Sequence, residues 1–232
     1  RYCSFMEKSE KFTMKKRLKH THPGRLITFE GPEGAGKSTQ LKLLAGYLEE
    51  KGFEVIATRE PGGTPLAERL RAVIKAFEGE EKLHNTTELL LIEAARSQHV
   101  REVIRPALAA GKIVLCDRYF DSTTAYQGGA RGFDAEAIDA LNDLAIAECA
   151  PDLTLLFDLT PEAGFARTRT RTETQGEHDR FEEEKLEFHR QVRESYLTIA
   201  AREPERVRVV AADRPAQEIQ TEVRKLVDEL IR

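Results

Sequence analysis

Short apolar runs alternate with stretches of helical periodicity along most of the chain. Leu26 to Phe29 is apolar and is followed by Leu41, Leu43, Leu44 and Leu48, spaced as one face of a helix. Gly52 supplies a stop, and Phe53 to Ala57 predicts a second strand. A helix is predicted from Pro65 to about Phe77, with Leu66, Leu70, Val73 and Ile74 on one side. Asn85-Thr86-Thr87-Glu88 carries the cap chemistry of a longer helix reaching about Ala110, kinked at Pro106. Lys112 to Cys116 and Asp152 to Leu159 are continuous apolar runs, as expected of strands covered on both faces of a parallel sheet. Between them, residues 122–130 and 134–148 read as helical. Pro161 opens another helix, Phe181 to about Arg202 forms a long charged one, Val207 to Ala211 is a fifth strand, and Pro215 to Ile231 closes the chain as a helix. Five strands alternating with helices predict an α/β fold with a doubly wound parallel sheet and helices on both faces.

Between the first strand and the first helix lies Gly31-Pro32-Glu33-Gly34-Ala35-Gly36-Lys37-Ser38-Thr39, which fits G-x-x-x-x-G-K-[ST]. The first backbone N–H groups of a helix have no internal partner and their dipole favours an anion, so a glycine-rich turn at that place cradles phosphates. Lys37 reaches the β/γ-phosphates as a point charge, and the Ser38 hydroxyl suits the coordination shell of a magnesium ion. The loop alone does not choose among switches, motors and kinases. N-K-x-D and D-x-x-G, expected of a guanine-specific switch, do not occur. Asp117 at the end of the third predicted strand is followed by Arg118, where a motor-type ATPase usually has a second carboxylate.

Composition narrows the class further. Of 232 residues, 40% are hydrophobic and 33% charged, as in an ordinary water-soluble globule long enough for a full core. The net charge of −4 is uneven. Residues 1–25 hold eight Lys or Arg against two acidic groups, a local +6 that leaves −10 for the rest. Residues 1–24 are therefore expected to be a basic N-terminal arm. Such an arm could touch nucleic acid, but a disordered leader or a start-site artefact is the plainer reading, and no nucleic-acid partner is expected. No apolar run spans a bilayer. Cys3, Cys116 and Cys149 lack metal-ligand spacing and read as reduced thiols in a cytoplasm.

Arginines crowd the loops at the C-terminal edge of the predicted sheet: Arg59, Arg118, Arg131, and Arg167, Arg169, Arg171 and Arg180 around the aperiodic stretch from about Thr172 to Asp179. Phosphoryl transfer asks the protein for in-line positioning and for cations that neutralise the moving group. An acceptor that is itself a phosphate needs no general base, so the lack of one favours a nucleoside monophosphate kinase. A same-fold kinase with another acceptor, or a nucleotide-dependent switch or binding protein without turnover, is the alternative. The Asp117-Arg118 pair and the arginine-rich stretch speak against the binder.

The chain from Arg25 to Arg232 resembles thymidylate kinase of the bacterial type. The likeness rests on F-E-G-P-E-G-A-G-K-S-T at 29–39, T-R-E-P-G-G-T at 58–64, A-A-R-S-Q-H at 94–99, D-R-Y-F-D-S-T-T-A-Y-Q-G at 117–128 and D-R-F-E at 179–182. It implies a P-loop nucleoside monophosphate kinase domain over 25–232 with a mobile lid at about 167–180, ATP-dependent conversion of dTMP to dTDP, magnesium, and a homodimer. It also implies that residues 31–39 and Arg180 hold ATP, and that Ser38 and Asp117 serve the metal. Arg59 and Arg118 would grip the acceptor phosphate, with Arg71 also among the substrate contacts, and Glu60 and Asp117 would help to place magnesium and water. Arg96 would hydrogen-bond the thymine edge, and Thr123, Tyr126 and Gln127 would line the deoxynucleoside pocket. Arg167, Arg169 and Arg171 would act from the lid. Ile92 stands where the family usually has a Phe that stacks on the base. His99 reads as a packing or surface residue.

Overall fold

The computed structural model describes residues 20–76, 81–167, 181 and 184–232. Five parallel strands form one sheet in the order β2-β3-β1-β4-β5, with β1 Arg25–Glu30, β2 Val55–Arg59, β3 Ile113–Asp117, β4 Leu153–Asp158 and β5 Val207–Ala211. β1 is central, with Phe29 opposite Asp117 on one side and Leu155 on the other. Its continuous burial explains the apolar run seen in the sequence. β5 has the expected bounds, whereas the boundaries of β1 to β4 differ from the expected ones by one or two residues, because pairing rather than hydropathy ends a strand. β2, for instance, begins at Val55, which pairs with Ile113.

Strand side chains alternate between two cores. Ile27, Phe29, Leu115, Leu155 and Phe157 face helices α1 (Lys37–Glu50) and α8 (Ala216–Ile231), and the Phe29 and Phe157 rings stack with centroids 5.8 Å apart. Leu26, Val114 and Cys116 face the other way. Burying each such Leu, Ile or Phe stabilises the fold by roughly 1.5–3 kcal/mol. Cys116 and Cys149 are both free and buried.

On that second face lie α2 (Pro65–Lys75), α3 (Asn85–His99), α4 (Arg105–Ala109), α5 (Phe120–Thr123), α6 (Ala135–Ile146) and α7 (Leu186–Arg202). Thr64 caps α2 through the Ala67 N–H, with Pro65 already in the first turn. The expected cap at Asn85 is displaced, since His84 occupies the N-cap position and makes no side-chain cap. Two expected α-helical stretches contain π-helical turns. The predicted kink at Pro106 is taken up upstream, at Val100–Ile104, where the Arg105 N–H reaches back to the Val100 carbonyl. Because Pro106 cannot donate, the extra residue in the turn absorbs the mismatch before the ring arrives. The second π-helix, Thr124–Ala130, replaces most of the predicted 122–130 helix. A Cβ on its Gly129 would stand 1.9 Å from Ser195 Oγ, so only glycine lets this turn lie against α7. Helix α7 begins at Leu186 instead of Phe181, because Lys185 is extended.

The boundary of the arm also moves. His20 Nε2 lies 2.9 Å from Asp152 Oδ2, the same oxygen that accepts the Leu26 N–H, and the Gly24 N–H donates to Leu108. Burial opposes ionisation of Asp152, but the bonds from His20 and Leu26 outweigh it and hold its carboxyl below the usual range. Residues 20–24 thus pack on the body. Residues 1–19, the arm proper, lie outside the described residues. No helix among the described residues is long and apolar enough to cross a membrane.

Candidate active site

The C-terminal ends of β1, β2 and β3 open onto a cleft of about 330 Å³, the place where ligands of open α/β sheets collect. The loop after β1 forms one wall through Glu33, Gly34, Gly36, Lys37, Ser38 and Thr39. Gly31, Pro32 and Ala35 are buried behind it. The loop rests on the helical residues 161–167 with no side chain between: a Cβ on Gly34 would stand 2.5 Å from the Gly164 carbonyl oxygen, and one on Gly164 would stand 2.5 Å from that of Glu33.

Lys37 is buried, and its Nζ donates to the carbonyls of Gly31 and Pro32 over 3.1 and 2.8 Å. Burial, reinforced by the nearby Arg118 guanidinium, holds its ammonium below the ordinary value, partly offset by Glu33, Asp117 and Glu30. The Ser38 hydroxyl donates to Asp117 Oδ2, so strand β3 and the head of α1 bring a hydroxyl and a carboxylate together. Two hard oxygen donors in contact fit magnesium.

Arg118 follows β3 with φ 67°, a left-handed conformation that an arginine adopts only under tertiary constraint. Its NH2 meets Glu33 and the Tyr126 hydroxyl, and its NH1 donates to Gly31 O, Ser122 Oγ and Tyr196 Oη. The guanidinium also lies 5.1 Å from the Tyr126 ring centroid. Beneath it stands Glu30, fully buried at the end of β1. Glu30 accepts from the Tyr119 N–H at 2.7 Å, Ser122 at 2.6 Å and Tyr196 at 2.9 Å. Burial, with Asp121 nearby, pushes the Glu30 carboxyl up to about 7 despite those three bonds and Arg118. The folded chain then keeps this proton from its ordinary 4.5 up to about 7, where the unfolded chain has lost it. The Glu30 contribution to stability is therefore fully present below about 4.5 and is lost as pH rises through about 7. In thermal melts, wild type is expected to lose ground to Glu30→Gln across that window; parallel curves would mean that Glu30 is ionised throughout.

Arg59 and Arg71 line the cleft at its β2 side, Arg59 paired with Glu68 at 2.8 Å and Arg71 donating to Pro61 O at 2.9 Å. Arg96 is 1% exposed; it donates to Glu60, Glu93, Thr123 and Asn142 and faces the cleft one helical turn beyond Ile92. Glu60 also lines the cleft, but both its oxygens are engaged, Oε2 by Arg96 and Oε1 by His99 Nδ1 at 3.0 Å. In the fold it holds Arg96 and His99 in place, and each of its oxygens keeps a second acceptor site. His99 is fully buried, with Nε2 2.7 Å from Thr58, and is no surface residue. Glu60 and His99 are bonded to each other, and the buried Cys116 of β3, whose Sγ lies 3.1 Å from Arg118 O, stands beside them. Thr123, Tyr126 and Gln127 line the far wall, joined by Phe181, whose ring meets Tyr126 edge-on.

Arg167 does not line the cleft; it is exposed and donates to Gly34 O and Ala212 O on the outer side of the loop. Arg169, Arg171, Arg180 and nearly all of the expected lid lie outside the described residues. Arg131 pairs with Glu88 and Glu184. Sequence reasoning missed Glu30, Ser122, Tyr196 and Glu88. Glu30 carried the signal that picked out Asp117, a carboxylate ending a buried strand; the other three carried none.

Comparison with known proteins agrees with this geometry. The family model described as thymidylate kinase matches residues 29–223. A thymidylate kinase of Magnetococcus marinus is 52% identical over 194 residues, 84% of this chain and 90% of its own. One of Pseudomonas fluorescens is 51% identical over 208 residues, 90% of this chain and 97% of its own. The crystal structure of thymidylate kinase from Ehrlichia chaffeensis superposes with a TM-score of 0.70 at 37% identity, covering 88% of this chain and 98% of that one. With a phosphate loop, an arginine-lined cleft at the sheet's carboxyl edge and these relatives, the chain belongs to the thymidylate kinase family, enzymes that phosphorylate dTMP to dTDP with ATP.

Proposed function

We propose that the cleft holds dTMP between Arg118 and the α3–π-helix wall while ATP lies along residues 31–39, so that Lys37 and Arg118 face the phosphoryl group in flight. The observation that carries this reading is the approach of Arg118 to the phosphate loop, where its guanidinium bonds both Gly31 O and Glu33. An incoming phosphate gives Lys37 a stronger acceptor than the loop carbonyls it now meets, and offers Arg118 a charged acceptor in competition with Glu33. Arg59 closes the acceptor side, Arg71 adds a substrate contact, and Tyr126, Thr123 and Gln127 flank the deoxynucleoside. Arg96 meets the base edge and Ile92 packs against the base. Arg167 acts from outside the loop. Ser38 and Asp117 would hold Mg²⁺, which when bound neutralises phosphate charge. Since the acceptor phosphate is already ionised near neutral pH, no side chain removes a proton from it.

The exposure of Leu66 and Val73 on α2, Leu90 on α3 and Leu144 on α6 supports a homodimer through this side of the molecule. A monomer mass by light scattering at micromolar concentration would remove that reading.

The decisive experiment is ADP release from ATP with magnesium across a panel of nucleoside monophosphates. dTMP is expected to lead in kcat/KM, and omission of magnesium to stop turnover. Preference for a purine monophosphate would overturn the substrate assignment.

A further inference from the structure

Gln127 sits in the second π-helix with only 1% of its surface exposed, in the wall of the cleft. Its amide nitrogen donates over 2.9 Å to Oε1 of Glu88, a fully buried carboxylate in the first turn of α3. A carboxylate only accepts, whereas a primary amide has one donating and one accepting end. The amide is therefore oriented by its partner: its NH₂ must face Glu88, and the carbonyl oxygen is the end left for a ligand. Arg131 steadies the arrangement from behind, with NH2 3.4 Å from Glu88 Oε2 and NH1 2.6 Å from Glu184. A carboxylate at 0% exposure is costly unless it is paired and hydrogen-bonded, and Gln127 and Arg131 supply those partners.

We infer that Glu88 is a positioning residue that fixes the polarity of the Gln127 amide, and so makes the cleft select a pyrimidine carrying N3–H over one whose N3 is an unprotonated acceptor. The inference rests on the proposal that the base stands against Gln127 and Arg96. Thymine presents N3–H as a donor beside its O4 acceptor; cytosine presents N3 as an acceptor beside an exocyclic amine. A fixed carbonyl oxygen accepts from the first and meets a lone pair on the second. The Arg96 guanidinium, which has donors only, discriminates in the same sense at position 4. A site whose buried polar groups would be left unpaired rejects the wrong ligand more strongly than one that merely fits its shape. Uracil shares the N3–H, so Glu88 has no part in recognising the 5-methyl group.

Glu88→Gln preserves size but lets residue 88 present either amide end, which frees Gln127 to turn over. In steady-state kinetics with dTMP, dUMP and dCMP, the dTMP-over-dCMP ratio of kcat/KM is expected to fall about tenfold or more, equivalent to about 1.4 kcal/mol, mainly through a lower KM for dCMP. The dTMP-over-dUMP ratio is expected to stay as in wild type. Gln127→Leu, which offers neither end, should also lose dTMP-over-dCMP discrimination, and adding Glu88→Gln to it should change that ratio no further. Equal losses on all three substrates in Glu88→Gln would make Glu88 only the charge partner of Arg131 and overturn the inference. If Glu88→Gln does not fold, an unchanged ratio in Gln127→Leu overturns it instead. A wild type that ignores all pyrimidine monophosphates would refute the substrate assignment, an outcome distinct from either of these.

Discussion

Lys37→Ala is expected to lower kcat by roughly 10²–10³-fold or more, the cost of deleting one preorganised charge from a transition-state site. Lys37 sits at the mouth of α1 with 7% exposure, and its Nζ is held by two loop carbonyls at 2.8 and 3.1 Å. These bonds hold the ammonium in the loop's concavity, and burial weakens its hold on its own proton, so a phosphate arriving there meets a cation that is poorly compensated by its surroundings. Of the two carbonyls freed by the substitution, Gly31 O keeps its bond from Arg118, but both residues are buried behind the cleft wall, so the variant is expected to melt somewhat below wild type. Single-turnover rates with saturating ATP and dTMP separate chemistry from binding. A folded Lys37→Ala enzyme with near-normal turnover would remove the residue from phosphoryl transfer altogether.

Arg118→Ala is expected to cost both activity and stability. Its guanidinium serves five acceptors from four parts of the chain: the phosphate loop, Ser122, Tyr126 and Tyr196. Truncating one member of a buried, hydrogen-bonded charge pair costs about 2–5 kcal/mol, largely because the other member is stranded. Glu33 is 24% exposed and keeps other contacts, so the loss is expected at the low end of that range, while the Ser122–Tyr196 pair above Glu30 loses the cation it faces. kcat/KM for dTMP is expected to fall by at least about 10²-fold. Arg118→Lys keeps the charge but cannot serve two directions with a planar fork, so it is expected to recover melting temperature more than activity. If Arg118→Lys works as well as wild type, the forked geometry has no role and charge alone suffices.

What could be read before the fold was known divides along a physical line. β1, β3 and β4 are covered on both faces, so their residues are apolar without alternation and their existence was plain. The phosphate loop was equally plain, because the same short segment carries both the turn and the chemistry. The π-helical turns were not legible. Their side-chain spacing differs little from that of an α-helix over one or two turns, and what distinguishes them is a backbone bond such as that from Arg105 to Val100. Glu60 was correctly drawn to the cleft from its motif, but its commitment to Arg96 and His99 depends on α3 lying across β2. Glu88 and Tyr196 were invisible for the same reason: each is an ordinary polar residue on an amphipathic helix until the fold sets it beside Gln127 or Glu30. Recognition of motifs found most of the charged groups that line the cleft and missed the polar residues packed behind them.

The contact between Gly34 and Gly164 has a bearing on how this sequence can change. Each position is obstructed by the other segment's main chain, at 2.5 Å in both directions, and Gly34 is also left-handed at φ 73°. When two side chains collide, shrinking one makes room for the other. Here there is nothing to shrink, because the obstructing atoms are carbonyl oxygens that every amino acid carries. No second substitution can rescue the first, so the two sites have no stepwise route away from glycine. A search of this chain's variants for paired changes between the phosphate loop and the helix at 161–167 should therefore come back empty at these two positions, however large the library.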